Sequence, residues 1–525
     1  MSTIVSDKGH PILTITHLPS PIYFPTSYDS YVYKPMNTTG RLLAFAVLAA
    51  CVCPSIAAQS ESFADFRKKV LSDFNDFRSS VLENYDKFLE GAWEDFDQIK
   101  GEKSNPVPKP RTAPAVGTTE PPVINTAPTL PAPVTATTPT PKQSPAPKSE
   151  EKPVNQSPAA TSADRFSLAD IPFEVPHIDY NISRRLSNKQ EFGAHWRTLA
   201  QTQLATTLIP EFQKLAQKHG LNDYLTYMAV NAYADARFPQ AHSSSRKSLV
   251  HFIMANMGYD VRLGTNQSGA AMLLIPFNQM VYARPYLNID GKKYFIFADD
   301  NIDLTRPDNL RISTCALPSD ADAGRPLDLI ITHLQLPSKP YHYNITFGDI
   351  TIEGDLNQAV MPLLYRYPQM PTADFARSTI FPDVRKQIVA QLKTQLSGKD
   401  EKAAVNTLLQ FVQKGFEYAT DEDFHGFEKP YFLEETLFYP KNDCEDRAIF
   451  YTYLLWEVLG IPNQLICYPG HESASVSLSV PVDGTSYTHS GTRFYISDPT
   501  YIGSVTGQCM PDFEQTAPQI DFTYK

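Results

Sequence analysis

Asn442-Asp443-Cys444-Glu445-Asp446 opens a mostly apolar run that ends at Gly460, and the rest of the chain is interpreted outward from this stretch. Polar residues before an apolar run, with a glycine after it, predict a helix that begins at Cys444. His471 follows Cys444 by 27 residues, and Asp498 follows His471 by another 27. A thiol at a helix start, then a base, then an acid is the order of a cysteine catalytic triad.

Cys444 needs activation, because an ordinary thiol with a pKa near ~8.5 is mostly protonated at neutral pH. The positive end of the helix dipole favours the thiolate, with Asn442 or Asp443 as the cap, and His471 would take the proton. The flanking carboxylates oppose this ionisation. These carboxylates are Asp443, Glu445 and Asp446. Either they point away from the thiol, where they cap the helix and interact favourably with its dipole, or a cation neutralises them.

The segment between the histidine and the aspartate predicts a hairpin. A turn at Asp483-Gly484 places His471 opposite Ile496, so that Asp498 becomes its diagonal neighbour on the same face of the sheet. A diagonal neighbour can reach the imidazole and fix its tautomer. A turn at Ser490-Gly491 gives a different register, and both turns remain open at this point.

The stretch 442–448, the helix that ends before Gly460, His471 and the run 498–500 together resemble the transglutaminase-like superfamily, especially bacterial transglutaminase-like cysteine proteinases. The resemblance covers about residues 400–512. It implies an α+β fold with a transglutaminase/papain-like core, in which the helix with the nucleophilic cysteine packs on an antiparallel sheet. Cys444 is then the nucleophile, His471 the base and Asp498 its partner.

The same resemblance bears on cofactors. No cofactor is required for the reaction, but some members of the family bind calcium through acids that flank the cysteine. In this chain those acids are Asp443 and Glu445, which we take as the candidate calcium ligands.

Composition excludes some partners and sites. The formal charge of −11 and the pI near 5.6, without clustered Lys and Arg, argue against a nucleic-acid partner. The six cysteines form no CxxC pair, which disfavours a zinc site or a disulfide framework. Cys467 and Cys509 either pair with each other or are buried apolar residues.

The sequence predicts an export signal near the amino terminus. Arg41 precedes an apolar run that ends in small residues at Ala57-Ala58, which predicts a secretory signal peptide at residues 36–58, cleaved after Ala57 or Ala58. Met36 is then the true start, and residues 1–35 are an upstream extension. Alternatively, Leu48-Ala49-Ala50-Cys51 resembles a lipobox, which makes Cys51 a lipid anchor. Both readings predict an exported protein of the periplasm, the outer-membrane surface or the extracellular space.

Two extended segments follow the signal. Residues 59–100 repeat every eleven residues, with Phe63, Phe74, Tyr85 and Phe96 in one position, which predicts an amphipathic helix over 63–96. Its aromatic stripe would pack on the catalytic domain, self-associate or dock a partner. Residues 101–164 are rich in Pro and Thr and predict a disordered tether.

The globular part divides into a helical and β region at 165–305, a β-rich region at 306–380 and a catalytic domain at 381–525. A helix at 243–258 followed by short strands repeats, at an offset near 200, the order that begins at Cys444. This indicates an internal duplication, although chance likeness is the alternative. The first copy has Ser243 or His242 at the cysteine position and Asp299 at the aspartate position, and we expect it to be an inactive scaffold.

These features predict a secreted or periplasmic cysteine hydrolase that cleaves peptide or amide bonds of a protein or peptide substrate through an acyl-Cys444 intermediate. The backbone N–H of Cys444 is the first expected oxyanion donor. A second possibility is transfer of the acyl group to an amine, which cross-links proteins. The third is a catalytically silent surface binding module.

Overall fold

The computed structural model describes residues 93–104, 111–113, 163–299, 301–306, 309, 311–314 and 324–525. The upstream extension at 1–35, the signal peptide at 36–58, Cys51, and most of the eleven-residue repeat and of the Pro/Thr-rich tether lie outside these residues. The described chain is mixed α+β, and its two larger sheets are antiparallel, as the sequence predicts.

The helices begin after the first short strands and alternate with the sheets. In chain order they are α1 (Lys189–Ala200), α2 (Ile209–His219), α3 (Asp223–Arg237), α4 (Ser243–Asn256), α5 (Met361–Tyr365), α6 (Thr372–Arg377), α7 (Pro382–Gln395), α8 (Glu401–Gly415), α9 (Asp421–Phe424), α10 (Leu433–Thr436) and α11 (Cys444–Leu459). Among the described residues, none of the helices combines the length and the hydrophobicity that a bilayer-spanning segment needs.

The strands are mostly short, and many are joined by tight turns. In chain order they are β1 (Glu94–Asp97), β2 (Arg111–Thr112), β3 (Ala163–Leu168), β4 (Ile171–Pro176), β5 (Arg262–Asn266), β6 (Ala271–Ile275), β7 (Tyr286–Ile289), β8 (Lys292–Phe297), β9 (Arg311–Thr314), β10 (Pro340–Phe347), β11 (Ile350–Asn357), β12 (Glu417–Tyr418), β13 (Lys441–Asn442), β14 (Asn463–Tyr468), β15 (His471–Val476), β16 (Ser486–His489), β17 (Thr492–Ile496), β18 (Tyr501–Ile502) and β19 (Gln519–Tyr524).

Helix α11 lies at the centre of the site region. Its apolar residues face protein on all sides, because it packs on β14 and β15 and also on α7 and α8. Most of its side chains are therefore buried, as expected of a helix that is apolar all round. Gly460 ends it in the left-handed conformation at φ 68°, which glycine adopts without the strain that a Cβ atom brings. The predicted helix is confirmed from its first residue to its last.

The two larger sheets have the same strand order. The first runs β1-β9-β5-β6-β8-β7, and the second, from the other end, runs β19-β14-β15-β17-β16. Without β1, each strand has a counterpart, and each sheet packs on the helix that precedes it, α4 or α11. Asp290-Gly291 and Ser490-Gly491 form equivalent two-residue turns with φ values of 53° and 79°, and of 48° and 80°. The repeated order of elements therefore extends to the sheet topology.

One hydrophobic core reaches from Phe166 to Val476. It joins residues of all three predicted regions, 165–305, 306–380 and 381–525. These regions share apolar contacts, so each contributes part of a common core.

The hairpin register predicted from a turn at Asp483-Gly484 is wrong. The tight turn lies at Ser490-Gly491, where both residues have positive φ, as the favoured hairpin turn with a right-handed twist requires. Strand β17 pairs with β15 so that Ile496 lies opposite Ser475, not opposite His471. Gly484 instead packs on another loop: a Cβ atom there would lie 2.1 Å from the carbonyl oxygen of Gly507.

The amino-terminal predictions need correction at the residues that are described. Glu94–Asp97 is a strand, because it pairs with the edge strand β9, so the predicted helix does not extend through Phe96. Residues 101–104 and 111–113 are packed segments of what was predicted as a disordered tether. Ala283 donates a hydrogen bond to the carbonyl of Glu102 at 2.6 Å, and Arg111–Thr112 pairs in parallel with β18.

A buried ion pair between α7 and α10 predicts a large stability effect. Arg385 Nε donates to Glu434 Oε1 at 2.7 Å, and the two side chains are 7% and 0% exposed. Glu434→Ala leaves the guanidinium buried without its partner, so we expect the free energy of unfolding to fall by about 3–5 kcal/mol in urea titrations. Asp383→Asn, at the exposed Asp383–Lys386 pair, is the control and should leave it unchanged. A Glu434→Ala variant as stable as this control would contradict the prediction.

Candidate active site

Cys444 is the first residue of α11, and Asp443 is the N-cap residue. The side chain is buried, at 1% exposure. Its thiol donates to Glu445 Oε2 at 3.2 Å, and its sulfur accepts from the backbone N–H of Glu472 at 3.5 Å. Burial, and then the charges of Glu445 and Asp443, raises the pKa of the Cys444 thiol well above its usual range. Burial and these two acids therefore oppose the thiolate that the reaction needs.

His471 begins β15 directly after a Pro469-Gly470 turn. Gly470 has φ 71°, the value that the third position of a type II turn requires, with proline preceding it. The ring Nε2 lies 2.8 Å from Asp498 Oδ2. The predicted partnership of His471 and Asp498 is therefore present, although the strand register differs from the preferred one.

The tautomer of His471 follows from its partners. A carboxylate only accepts hydrogen bonds, so Nε2 carries the proton that Asp498 binds. Nδ1 is then the basic nitrogen, and it has no hydrogen-bond partner among the described residues. The ring stacks on Phe513 with centroids 5.3 Å apart and an angle of 7° between the planes. The histidine is thus held at Nε2, and its buried Nδ1 has no hydrogen-bond partner within the described chain.

Asp498 is held from two sides. Its Oδ1 accepts hydrogen bonds from the backbone N–H groups of Thr500 and Tyr501, at 2.8 and 3.2 Å. The other side is Gln413 of α8, whose Nε2 donates to the carbonyl oxygen of Asp498 at 3.1 Å and whose Oε1 accepts from Gly503 at 3.0 Å. The sequence did not predict a role for Gln413. The one signal for it is a polar residue on the apolar side of an amphipathic helix.

Cys444 and His471 line the same cavity, which has a volume of about 220 Å³. They form no direct hydrogen bond, because the thiol is bound to Glu445. Lys103 and Ser104, from the segment that was predicted as tether, also line this cavity. The structure therefore brings the three predicted catalytic residues together. Part of the cavity wall comes from the segment at residues 103–104.

Arg447 lies one turn into α11 and is buried, at 1% exposure. Its Nε donates to Asn442 Oδ1 at 2.7 Å, and its terminal nitrogens donate to the carbonyls of Gln413 and Phe416. Burial lowers the pKa of Arg447 to about 10. The guanidinium binds an amide and carbonyls, so it links α11 to the end of α8.

A group of buried acids lies beside the thiol. Ligand oxygens of Asp421, Glu428 and Glu445 lie within 4.8 Å of one another, and so do those of Asp421, Asp443 and Asp446. Burial and then the charge of Glu445 raise the pKa of Asp421 to about 8, and they raise the pKa of Glu428 to about 8 as well. Asp443 Oδ1 and Glu445 Oε1 are buried without a hydrogen-bond partner.

This donor set fits a calcium ion. Calcium takes six to eight oxygen ligands, chiefly carboxylates and carbonyls, and the orphaned oxygens of Asp443 and Glu445 are of that kind. The two candidate ligands belong to two overlapping groups that share Asp421. Asp421 and Glu428 were not found in the sequence, because they precede the cysteine by 23 and 16 residues and reach it only through the loop around α9.

The sheet that β5 to β9 form has no histidine at the place that corresponds to His471. Leu274 pairs with Ile296 as Ser475 pairs with Ile496, and counting back from this pair places Ala270 where the second sheet has His471. Ser243 begins α4 as Cys444 begins α11. Asp299 binds the ammonium group of Lys247 at 2.5 Å. Asp299 is thus bound to a lysine, whereas Asp498 is bound to a histidine.

Comparisons of the chain with protein-family models, curated proteins and solved structures found no match.

Proposed function

We propose that the protein is an exported cysteine hydrolase with a transglutaminase/papain-like core, which cleaves a peptide or amide bond through an acyl-Cys444 intermediate. One observation carries the proposal: His471 is held at Nε2 by Asp498, its buried Nδ1 has no hydrogen-bond partner among the described residues, and it lines the same cavity as Cys444. The matching strand order of the two sheets supports the accompanying proposal that residues 165–305 contain a degenerate second copy.

The reaction runs in two halves. The sulfur of Cys444 attacks the substrate carbonyl carbon while its proton passes to Nδ1 of His471, and the backbone N–H of Cys444 stabilises the oxyanion. The C–N bond then breaks, and His471 gives that proton to the leaving amine. In the second half water attacks the thioester and gives its proton to His471. The C–S bond then breaks, the proton returns to the sulfur of Cys444, and the carboxylic acid is released. Asp498 keeps the imidazole in the required tautomer throughout.

Asp421, Glu428, Asp443 and Glu445 are the residues that would hold calcium. A bound divalent cation would supply positive charge that offsets the carboxylates opposing the Cys444 thiolate. Glu445, committed to that cation, would no longer accept the thiol hydrogen. Cys444 would then be free to bond with Nδ1 of His471, the nitrogen that has no partner here.

Calcium removal should therefore lower the cleavage rate by at least ~10-fold, and added calcium should restore it. Glu445→Gln should bind calcium at least ~10-fold more weakly, which calorimetry on the Cys444→Ala background measures without any turnover. Asp423→Asn, at an exposed acid of the same loop, is the matched control and should bind as the unchanged chain does. Equal calcium affinity in Glu445→Gln and in the control would contradict the assignment of the ligands.

A peptide library tests the function itself. The chain from residue 59 onward, with calcium and separately with a chelator, should release new amino termini that mass spectrometry identifies. Cys444→Ala, treated in the same way, should release none. Amine-linked products in place of new termini would support acyl transfer instead, and no product under either condition would support the silent binding module.

A further inference from the structure

Two carboxyl groups that the mechanism does not use line the cavity of Cys444. Glu472 follows His471 in β15, and Asp521 lies in β19, so the two strands flank β14. Ligand atoms of both residues lie within 4.8 Å of each other and of Cys467 Sγ. They belong to a different group from the candidate calcium ligands, so their function needs a separate explanation.

A β-bulge directs Asp521 to this place. Leu465 pairs with Phe522 and Ile466 pairs with Ile520, so Asp521 is an extra residue without a partner on β14. Bulges of this kind occur next to active sites, where they re-aim a side chain. Asp521 Oδ1 accepts a hydrogen bond from the side chain of Gln519, which holds the carboxylate at the cavity wall.

The two carboxyl groups have no basic partner. Glu472 is 6% exposed, and its Oε1 has no hydrogen-bond partner. Within the described part of the chain, neither Glu472 nor Asp521 forms an ion pair with a lysine or an arginine. The side chain of Glu472 hydrogen-bonds Asp521 and Cys467, and neither partner brings positive charge. Two adjoining carboxyl groups in a buried site need a counter-charge to ionise, so the site favours a cationic ligand.

The size of the cavity indicates what the cation belongs to. At about 220 Å³, it is smaller than the ~300–1,000 Å³ of sites for drug-sized ligands, and it suits one long side chain. Tyr282, Met370 and Pro371 line its wall and offer apolar contact to a methylene stem. Lysine and arginine combine such a stem with a charged head. The chain's own Lys103 and Ser104 border the same cavity, so a basic peptide segment can approach it.

We propose that Glu472 and Asp521 form a subsite for a lysine or arginine side chain next to the bond that Cys444 cleaves. This inference rests on the proposed function, because it assigns the substrate class of the same site. The substrate is then a protein or peptide with a basic residue at the cleavage position.

Two thiol-directed probes test the subsite. They are short peptidyl acyloxymethyl ketones that differ only in lysine or norleucine beside the reactive group, and alkylation of Cys444 expels the carboxylate. The lysine probe should label Cys444 about 10- to 100-fold faster, the range that one charge-assisted hydrogen bond supports. In Glu472→Gln/Asp521→Asn the two rates should agree within about twofold. Asp521→Asn alone, at a less buried position, should reduce the preference in part, and Asp383→Asn at a distant exposed acid should keep it.

Iodoacetamide separates the two levels of the proposal. If iodoacetamide and both probes leave Cys444 unlabelled, the proposed function fails. If iodoacetamide and the norleucine probe label Cys444 but lysine gives no advantage, only the subsite is overturned. The subsite is also overturned if the lysine probe keeps its rate advantage over the norleucine probe in folded Glu472→Gln/Asp521→Asn. Stoichiometric Zn²⁺ binding that requires Glu472 and Asp521, without a preference for lysine, would overturn it in favour of a metal site with Cys467.

Discussion

Cys444→Ala should lower kcat for peptide cleavage by at least ~10⁴-fold, because Cys444 is the only thiol among the described residues that line the cavity. Cys444 lies at the helix start and shares a cavity with His471, whose Nδ1 has no hydrogen-bond partner in the described part of the chain. The other described cysteines, Cys467 and Cys509, are buried and do not form a disulfide with each other. Of the two alternatives that the sequence left open for them, burial is therefore the observed one.

Cys509→Ala is the matched control for this loss. Cys509 packs in a small apolar cluster with Ile466, Tyr468 and Ile496 and does not line the cavity of Cys444. The control should keep kcat within about tenfold, since it removes a few buried atoms and no reacting group. Steady-state kinetics on one fluorogenic peptide, with thermal melting of each variant, checks both changes. Full activity in Cys444→Ala would contradict the assignment of the nucleophile.

Asp498→Asn should be nearly as damaging, for a reason that depends on the two oxygens of this carboxylate. The backbone N–H groups of Thr500 and Tyr501 need an acceptor at the Oδ1 position, so an asparagine must put its oxygen there. Its NH₂ group then faces Nε2 of His471, which must accept in turn. The ring proton moves to Nδ1, and the nitrogen that should receive the thiol proton is no longer basic.

We expect kcat of Asp498→Asn to fall by ~10³–10⁴-fold, with little change in the free energy of unfolding. Nitrogen NMR of the histidine ring reports the tautomer directly and should show the proton on Nδ1 in the variant. Asp512→Asn, at an exposed aspartate paired with Arg111, is the control and should leave tautomer and rate unchanged. An unaltered ring with unaltered kcat would contradict the orienting role of Asp498.

The sequence sufficed for the parts of the site that local chemistry determines. The helix at Cys444 follows from capping residues, an apolar run and Gly460, which are signals within one segment. The approach of His471 to Asp498 was predicted from spacing alone, and it survives a different register. The preferred register and the actual one differ by an even number of residues, and side chains keep their face of a sheet under such a shift.

The rest depended on contacts between distant segments. Asp483-Gly484 and Ser490-Gly491 carry similar turn signals, and the packing of Gly484 on Gly507 decides between them. Gln413 lies 85 residues from the aspartate whose loop it fixes. Glu94–Asp97 continues a helical repeat in sequence, yet the unpaired edge of β9 draws it into a sheet. In each case tertiary packing overrides a local pattern.

The acids beside Cys444 oppose the ionisation of its thiol, as the sequence predicts. The flanking carboxylates do not point away from the thiol, because Glu445 accepts its hydrogen at 3.2 Å. Arg447 does not pair with them, because its donors reach an amide and carbonyls. The orphaned oxygens of Asp443 and Glu445 are the observation behind our proposal that a cation neutralises these acids.

Trapping of the acyl intermediate is the most direct test of the central claim that Cys444 forms a thioester with its substrate. The protein is mixed with a peptide p-nitrophenyl ester in calcium-containing buffer, quenched with acid within the first turnover, and analysed by intact and peptide mass spectrometry. The account predicts one acyl group on the peptide that contains Cys444, released by hydroxylamine and absent in Cys444→Ala. Turnover of the ester at the same rate in Cys444→Ala, with no adduct at residue 444 in the unchanged chain, would contradict it.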